Sequence, residues 1–130
     1  HVLRCGQTQD PALALVATGF GYEADRRAAQ AELLTKLLPN VRDIRRIGAA
    51  ALDLCRVAEG TVDAYFEHGI NAWDFAAGAI IAREAGAVVR HPGFDKGSAD
   101  GELTWAAGAD LAPAFEKLLA AHRATDALRG

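Results

Sequence analysis

Two carboxylates, Glu67 and Asp74, stand on either side of a short segment that joins a predicted strand to a predicted apolar helix. Open α/β sheets bind ligands on segments that leave strand ends. Asp74 falls at the cap or in the first turn of that helix, where the helix dipole favours an ionised carboxylate, a ligand that suits Mg²⁺. A plain helix cap explains the position of Asp74 just as simply, and a solvated loop acid explains Glu67.

A second candidate group occupies residues 45–50. A glycine such as Gly48 lets the backbone approach a ligand closely, and free amides at a helix start, here of Ala49 and Ala50, suit an anion or a hydroxyl oxygen. Small residues serve helix packing equally often, so that alternative stays open. Arg46 is predicted to face water at a strand edge, and Arg45 either does the same or pairs with an acid.

The helices and strands that position these groups can be predicted from the pattern of the sequence. Short apolar runs alternate with helical patterns, which predicts an α/β (α+β) fold with a mixed sheet flanked by helices. Strands are predicted at residues 2–4, 13–18, 41–47, 62–66, 87–90 and 103–107. Helices are predicted at residues 25–38, 48–60, 73–85 and 110–122, the last capped by Asp110. The third helix is apolar nearly all round, which predicts a buried helix with Trp73 as a core anchor. No linker interrupts the pattern, so residues 1–130 are predicted to form a single domain.

The composition argues against several classes of protein. Fourteen basic and 17 acidic residues give a net charge of -3 without a basic stripe, so no direct nucleic-acid partner is expected. The longest strongly apolar stretch is far shorter than the ~20 residues that span a membrane. Two cysteines make no disulfide framework and no signal peptide is evident, so a cytoplasmic location is expected. Because Met is absent, even at the start, we expect the chain to be one piece of a longer protein.

One long motif carries a family resemblance. Residues 73–86 read Trp-Asp-Phe-Ala-Ala-Gly-Ala-Ile-Ile-Ala-Arg-Glu-Ala-Gly. They closely resemble the second signature of the inositol monophosphatase family, Trp-Asp-x-Ala-Ala-Gly-x-x-Ile-x-x-Glu-Ala-Gly. The similarity extends over residues 44–55 and 63–67 and includes the Ala-Thr-Gly-Phe run at 17–20. It covers most of the chain and weakens after residue 90.

The resemblance implies the C-terminal half of a layered α-β-α-β-α sandwich. It also implies an enzyme that hydrolyses inositol-1-phosphate or a related sugar phosphate with Mg²⁺, and a homodimer, since relatives commonly dimerise. Phosphatases of histidinol phosphate, fructose 1,6-bisphosphate and nucleotide 3′-phosphates share the signature, so these substrates remain alternatives. Some bacterial relatives act through protein partners, which leaves a non-catalytic regulatory role as a further alternative.

The resemblance also assigns roles by position. Asp74 matches the C-terminal metal-ligand aspartate, and Glu67 matches the acid that hydrogen-bonds inositol hydroxyls. Four other positions match residues around the substrate: Gly48, Ala49, Ala50 and Arg45. Asn71 stands where several relatives have His or another polar residue, a departure that bears on substrate choice. No catalytic group proper is assigned within the chain.

Two parts of the family's metal site do not occur in the sequence. The first signature, Asp-Pro-Ile/Leu-Asp-Gly-Thr, carries two metal aspartates, and a Glu-Glu motif positions metal and water. The pair Asp10 and Pro11 is followed here by Ala-Leu-Ala. One carboxylate makes a poor Mg²⁺ site. We therefore expect the chain to be inactive alone and to need an N-terminal portion as its partner.

Overall fold

The structure, a computed structural model, describes residues 2–128. Its strands are β1 (Leu15–Thr18), β2 (Asp43–Arg45), β3 (Ala64–His68), β4 (Ala87–Arg90) and β5 (Leu103–Gly108). Its α-helices are α1 (Ala24–Leu37), α2 (Ala50–Glu59), α3 (Ala72–Glu84) and α4 (Ala112–Ala121). Short 3₁₀ turns cover Pro11–Leu13, Leu38–Asn40 and Ser98–Asp100.

The strands of the described region form one sheet in the order β2-β1-β3-β5-β4. β1 is parallel to both β2 and β3, whereas β5 is antiparallel to both β3 and β4. Parallel neighbours require crossover connections, and α1 and α2 provide them. The carboxyl ends of β1, β2 and β3 therefore lie at one edge of the sheet, and α1, α2 and α3 all begin there. The predicted mixed sheet flanked by helices is confirmed.

Helices cover both faces of the sheet, because successive side chains of each strand point to opposite sides. On one face, Leu33 and Leu37 of α1 and Phe115 of α4 belong to a cluster with Val16 and Phe66 from the strands. Burial on both faces accounts for the unbroken apolar run that predicted β1.

The opposite face carries α2 and α3, whose Leu54 and Phe75 join a cluster with Ala17 and Tyr65. These two helices lie very close together. A Cβ added at Gly78 of α3 would stand 2.8 Å from Cβ of Leu54. The small residues of α3 therefore serve close packing against α2, and the site elements rest on a rigid pair of helices.

The exposure of α3 differs from the prediction. Trp73 is 80% exposed and is not a core anchor, and Ile80 is 60% exposed. The helix packs through Phe75, Ala79 and Ala82, which recur at helical spacing. Trp73 precedes Phe75 by two residues and so lies about 200° around the helix, away from the sheet. Because α3 is apolar nearly all round, its composition did not show which of its sides packs against the sheet.

Several predicted boundaries were also wrong. Residues 2–4 form no strand, and β3 continues through His68, which is 1% exposed. Asp110 does not cap α4, whose N-cap position is Leu111. No helix within the described residues combines the length and apolarity needed to cross a bilayer.

Candidate functional site

A cleft of about 570 Å³ opens at the sheet edge where the three parallel strands end. Its walls come from the loop after β1, the start of α2 and the segment that joins β3 to α3. Open α/β sheets bind ligands at this kind of edge. Of the sequence-predicted site residues, the cleft brings together Gly48, Ala49, Ala50, Glu67 and Asp74.

The wall formed by α2 has free backbone donors. Ala49 is the N-cap of α2 and has no side chain that could cap it. The first amides of a helix have no acceptor within the helix, so those of Ala50 and Ala51 remain available beside the cleft. Gly48 has φ +93°, a conformation that favours glycine, and it therefore lies outside the helix that it was predicted to begin.

Asp74 is both a helix-capping residue and a wall of the cleft. Its Oδ2 accepts a hydrogen bond from the amide of Asn71 at 3.1 Å, and its own amide donates to the Asn71 carbonyl at 2.9 Å. Asn71 Oδ1 accepts in turn from the amide of Ser98 at 2.8 Å. Asn71 is the N-cap of α3, and Asp74 lies in the first turn, one of its two predicted places. Its bond to the Asn71 amide closes the capping box. It uses one carboxylate oxygen and leaves the other without a hydrogen bond among the described residues.

The donor chemistry of Asp74 fits a hard cation, because a carboxylate oxygen is the kind of ligand that Mg²⁺ takes and the bond to Asn71 orients this one. Residues 2–128 bring no three His, Cys, Asp or Glu side chains together as a metal-binding group. The part of the chain that the structure describes therefore offers one ligand, and a complete Mg²⁺ shell would need oxygens from elsewhere.

Glu67 is held in one orientation by two neighbours. The Tyr65 hydroxyl donates to its Oε1 at 2.8 Å. The loop after β1 passes so closely that a Cβ added at Gly19 would stand 2.6 Å from the Glu67 carboxyl carbon. Burial raises the pKa of Glu67, while the Tyr65 bond and the charge of Arg46 oppose that rise. Burial, followed by the charge of Glu67, raises the pKa of Tyr65 well above its usual value, so Tyr65 remains a donor.

Asp53 of α2 lies behind Glu67 and was not recognised from the sequence. It is fully buried, and neither carboxylate oxygen has a hydrogen-bond partner among the described residues. Burial, and then the charge of Glu67, raises its pKa to about 7, with Arg46 acting in the opposite direction. Leu54, Val57 and Ala58 share its buried helix face. An acid on an apolar helical stripe was the signal that could have identified it.

Arg45, the last residue of β2, pairs with an acid, as one of its predicted alternatives had it, and the next residue, Arg46, is the one that reaches the cleft. Arg45 does not line the cleft, because its guanidinium turns back to Asp43 at 3.1 Å. Arg46 is exposed, as predicted, but it lines the cleft and lies 5.8 Å from the centre of the Phe20 ring. Neighbouring residues of an extended segment point to opposite sides, so only one of the two can reach the cleft. Arg46 therefore replaces Arg45 as the basic candidate.

Arg26, in the first turn of α1, is a second cation that the sequence did not single out. It lines the same cleft and is only 6% exposed. Nothing in the local sequence distinguishes it from Arg27, which is exposed. Only the packing of the loops after β1 and β3 makes one arginine buried and the other free.

Comparisons with known proteins identify the family and the fold. A family model described as the inositol monophosphatase family matches residues 1–127. The inositol-1-monophosphatase of Mycobacterium leprae is 61% identical over 92 residues, which are 71% of this chain and 32% of that protein. A protein of Pasteurella multocida named Nus factor SuhB is 47% identical over 88 residues, which are 67% of this chain and 33% of that protein.

Solved structures match over more of the chain. SuhB of Mycobacterium tuberculosis superposes with a TM-score of 0.86 at 47% identity, covering 97% of this chain and 49% of that one. The inositol monophosphatase of Anabaena (Nostoc) sp. PCC 7120 gives 0.75 at 29% identity, covering 92% and 49%. The chain thus spans about a third of the length of the curated relatives it matches and about half of these solved chains.

Replacing Asp53 by Asn is expected to stabilise the protein at neutral and alkaline pH. Its pKa is raised from the usual 3.8 to about 7, so between these values the folded state keeps a proton that the unfolded chain has lost. The stability it contributes is complete below the unfolded pKa and lost as pH rises through the folded pKa. The free energy of unfolding by urea should rise by about 1–3 kcal/mol near pH 8 and change little near pH 4.

The control for this measurement is Asp110→Asn, a change of the same type at an exposed position. It should leave the stability unchanged at both pH values. An Asp53→Asn protein with the same pH profile as the wild type would show that Asp53 keeps an ordinary ionised carboxylate.

Proposed function

The chain belongs to the inositol monophosphatase family of phosphatases, and from this premise we propose that it forms half of an Mg²⁺-dependent enzyme that hydrolyses inositol-1-phosphate or a related sugar phosphate. The observation that carries the proposal is the meeting of Glu67 and Asp74 in one cleft with the uncapped start of α2. The cleft then combines three kinds of group. Asp74 is a ligand for a hard cation, Glu67 is an acceptor for sugar hydroxyls, and the free amides of α2 are donors to oxygen atoms.

Each group has a role in this proposal. Asp74 holds the cation through the oxygen that its cap leaves unused. Mg²⁺ would supply Lewis-acid chemistry toward the phosphate and a bound water. Glu67 accepts hydrogen bonds from the sugar hydroxyls and is kept in position by the Tyr65 hydroxyl. Amides at the start of α2 donate to substrate oxygens, and Arg46 supplies positive charge at the cleft.

The remaining ligands are proposed to come from an N-terminal portion outside this chain, and the whole protein is proposed to be a homodimer in the cytoplasm. A chain comprising residues 1–130 alone, shown to be folded by circular dichroism, should give no turnover of inositol-1-phosphate with Mg²⁺ above background. One carboxylate binds Mg²⁺ too weakly to activate it. Turnover comparable to that of an intact family enzyme would overturn this division of the site.

Asp74→Asn, made in the protein that carries this chain, tests the metal role separately from the cap. An asparagine oxygen can still accept from the Asn71 amide, so the start of α3 should persist while the charge is lost. We expect kcat/KM to fall about a hundredfold or more, with a higher Mg²⁺ concentration needed for half-maximal rate.

The matched control is Asp25→Asn, because Asp25 also lies in the first turn of a helix but does not line the cleft. Its activity and metal dependence should equal those of the wild type. An Asp74→Asn enzyme with unchanged Mg²⁺ dependence would reduce Asp74 to a helix cap.

Glu67→Gln tests recognition of the sugar. Because a neutral amide accepts weaker hydrogen bonds than a carboxylate, kcat/KM for inositol-1-phosphate should fall about tenfold or more. Hydrolysis of p-nitrophenyl phosphate, which has no hydroxyls on its ring, should change little. An equal loss on both substrates would refute a specific role in polyol binding. Absence of turnover in the intact wild-type protein would instead favour the regulatory alternative.

A further inference from the structure

Arg26 is a buried cation inside the cleft. It is 6% exposed although it belongs to the first turn of α1, and its side chain passes between two glycines. A Cβ added at Gly21 would stand 3.0 Å from Cδ of Arg26, and one added at Gly69 would stand 2.9 Å from its Cζ. Gly69 has φ +78°, a conformation that favours glycine. The loops after β1 and β3 thus form a slot that fits the arginine.

The guanidinium of Arg26 has few direct partners in the described part of the chain. No ion pair there includes Arg26, and its Nε has no hydrogen-bond partner. Its one hydrogen bond runs from Nη2 to the carbonyl oxygen of Ala99 at 3.5 Å, the upper limit for such a bond. A buried charge without a partner is costly, and a cation in the first turn of a helix also opposes the helix dipole.

The cleft around Arg26 carries charge of both signs. Arg46 and the carboxylates of Glu23, Glu67 and Asp74 also line it, but none of these acids forms an ion pair with Arg26. Behind it lies the buried His68, whose ring Nε2 is 2.6 Å from the carbonyl oxygen of Ala124. Burial, and to a smaller extent the charge of Arg26, lowers the pKa of His68, so no second buried cation forms there. The slot therefore favours an anion that enters from the cleft.

The position of Arg26 relative to Asp74 is set by a short chain of hydrogen bonds. Asp74 accepts from the Asn71 amide, Asn71 accepts from the Ser98 amide, and the next carbonyl, that of Ala99, accepts from Arg26. The hydrogen bond between Asn71 and Ser98 thus lies between Asp74 and Arg26 in this chain of bonds. A ligand that reaches both must extend along the cleft.

We propose that Arg26 binds a second anionic group of the substrate, so that the preferred substrate is a phosphomonoester that also carries a phosphate or a carboxylate. The inference rests on the proposed function, which places the reacting phosphate at Asp74. The planar guanidinium offers paired donors that match either anion, and both are absent from a simple inositol monophosphate apart from the reacting group.

A binding test separates Arg26 from the metal site. In a chelating buffer without divalent cations, inorganic phosphate should raise the melting temperature of the protein that carries this chain, relative to chloride at equal ionic strength. Arg26→Gln should abolish most of that rise, and Arg26→Lys should keep part of it. Arg42→Gln, which removes an exposed arginine outside the cleft, should keep all of it.

Stability in chloride adds a second readout. Because removing an uncompensated buried charge relieves a cost, Arg26→Gln should melt no lower than the wild type. A large loss of stability would show that Arg26 is a structural residue and would overturn the proposal. The same conclusion follows if phosphate stabilises no variant, or if Arg46→Gln rather than Arg26→Gln loses the effect.

Kinetics on three matched substrates then identify the second group. Glucose 1-phosphate, glucose 1,6-bisphosphate and glucuronic acid 1-phosphate differ only in bearing a hydroxyl, a phosphate or a carboxylate at one end. Wild-type kcat/KM should be about tenfold or more higher for one of the two doubly anionic substrates than for glucose 1-phosphate. Arg26→Gln should remove that preference, so that kcat/KM for the doubly anionic ester falls to about the value for glucose 1-phosphate in the same variant. Equal preference in both proteins would overturn the proposal.

Failure of the proposed function has a different signature. If none of the three esters is hydrolysed with Mg²⁺ while phosphate still stabilises the wild type and not Arg26→Gln, the anion site stands and the phosphatase assignment falls. If the esters are hydrolysed but Arg26→Gln alters neither stabilisation nor preference, the phosphatase stands and the anion site falls.

Discussion

The parallel pairing of β1 with both β2 and β3 is the constraint on which the site depends. Parallel strands end at the same edge, and each of these three is followed by a helix that begins there. Residues that are far apart in sequence, such as Arg26, Gly48 and Asp74, therefore come to line one cleft. β5 runs antiparallel to both of its neighbours, and β4 runs in the direction of β3 but is followed by no α-helix, so these two strands extend the sheet without adding an α-helix start at this edge. The N-termini of α1, α2 and α3, each with a partial positive charge, therefore lie together at this edge of the sheet.

The groups around the cleft include a buried acid and a buried cation, which cost stability. Asp53 and Glu67 are acids beside the apolar cluster that includes Leu54 and Phe75, and burial raises the pKa of both. Arg26 and Arg46 bring positive charge to the same edge without an ion pair among the described residues. A protein selected only for stability would place apolar side chains at Asp53 and Arg26, because each carries an uncompensated polar group. Departures of this kind from consistent packing are typical of functional sites.

The sequence predicted the helices and strands better than it predicted which of their side chains are buried or reach the cleft. The buried run at β1, the helical leucines of α1 and the glycine that ends α2 all depend on local chemistry, so their patterns are legible without a structure. The long motif at 73–86 likewise placed Asp74 at a helix start. The exposure of Trp73 and the choice between Arg45 and Arg46 depend on which side of an element meets its neighbour. Tertiary packing fixes those sides, and periodicity in an all-apolar or short segment carries too little information to predict them.

Asp74 shows why a cap and a ligand are compatible roles for one carboxylate. Its bond to the Asn71 amide takes a single oxygen, and Asp74 still lines the cleft. A cap contributes only about 1 kcal/mol, so it orients the group without competing seriously with a cation for its charge. The same asparagine joins the start of α3 to Ser98 and, through the next residue, to Arg26. The capping bond of Asp74 and the slot of Arg26 are therefore connected through residues 71, 98 and 99, and the weakest link is the 3.5 Å bond to the Ala99 carbonyl.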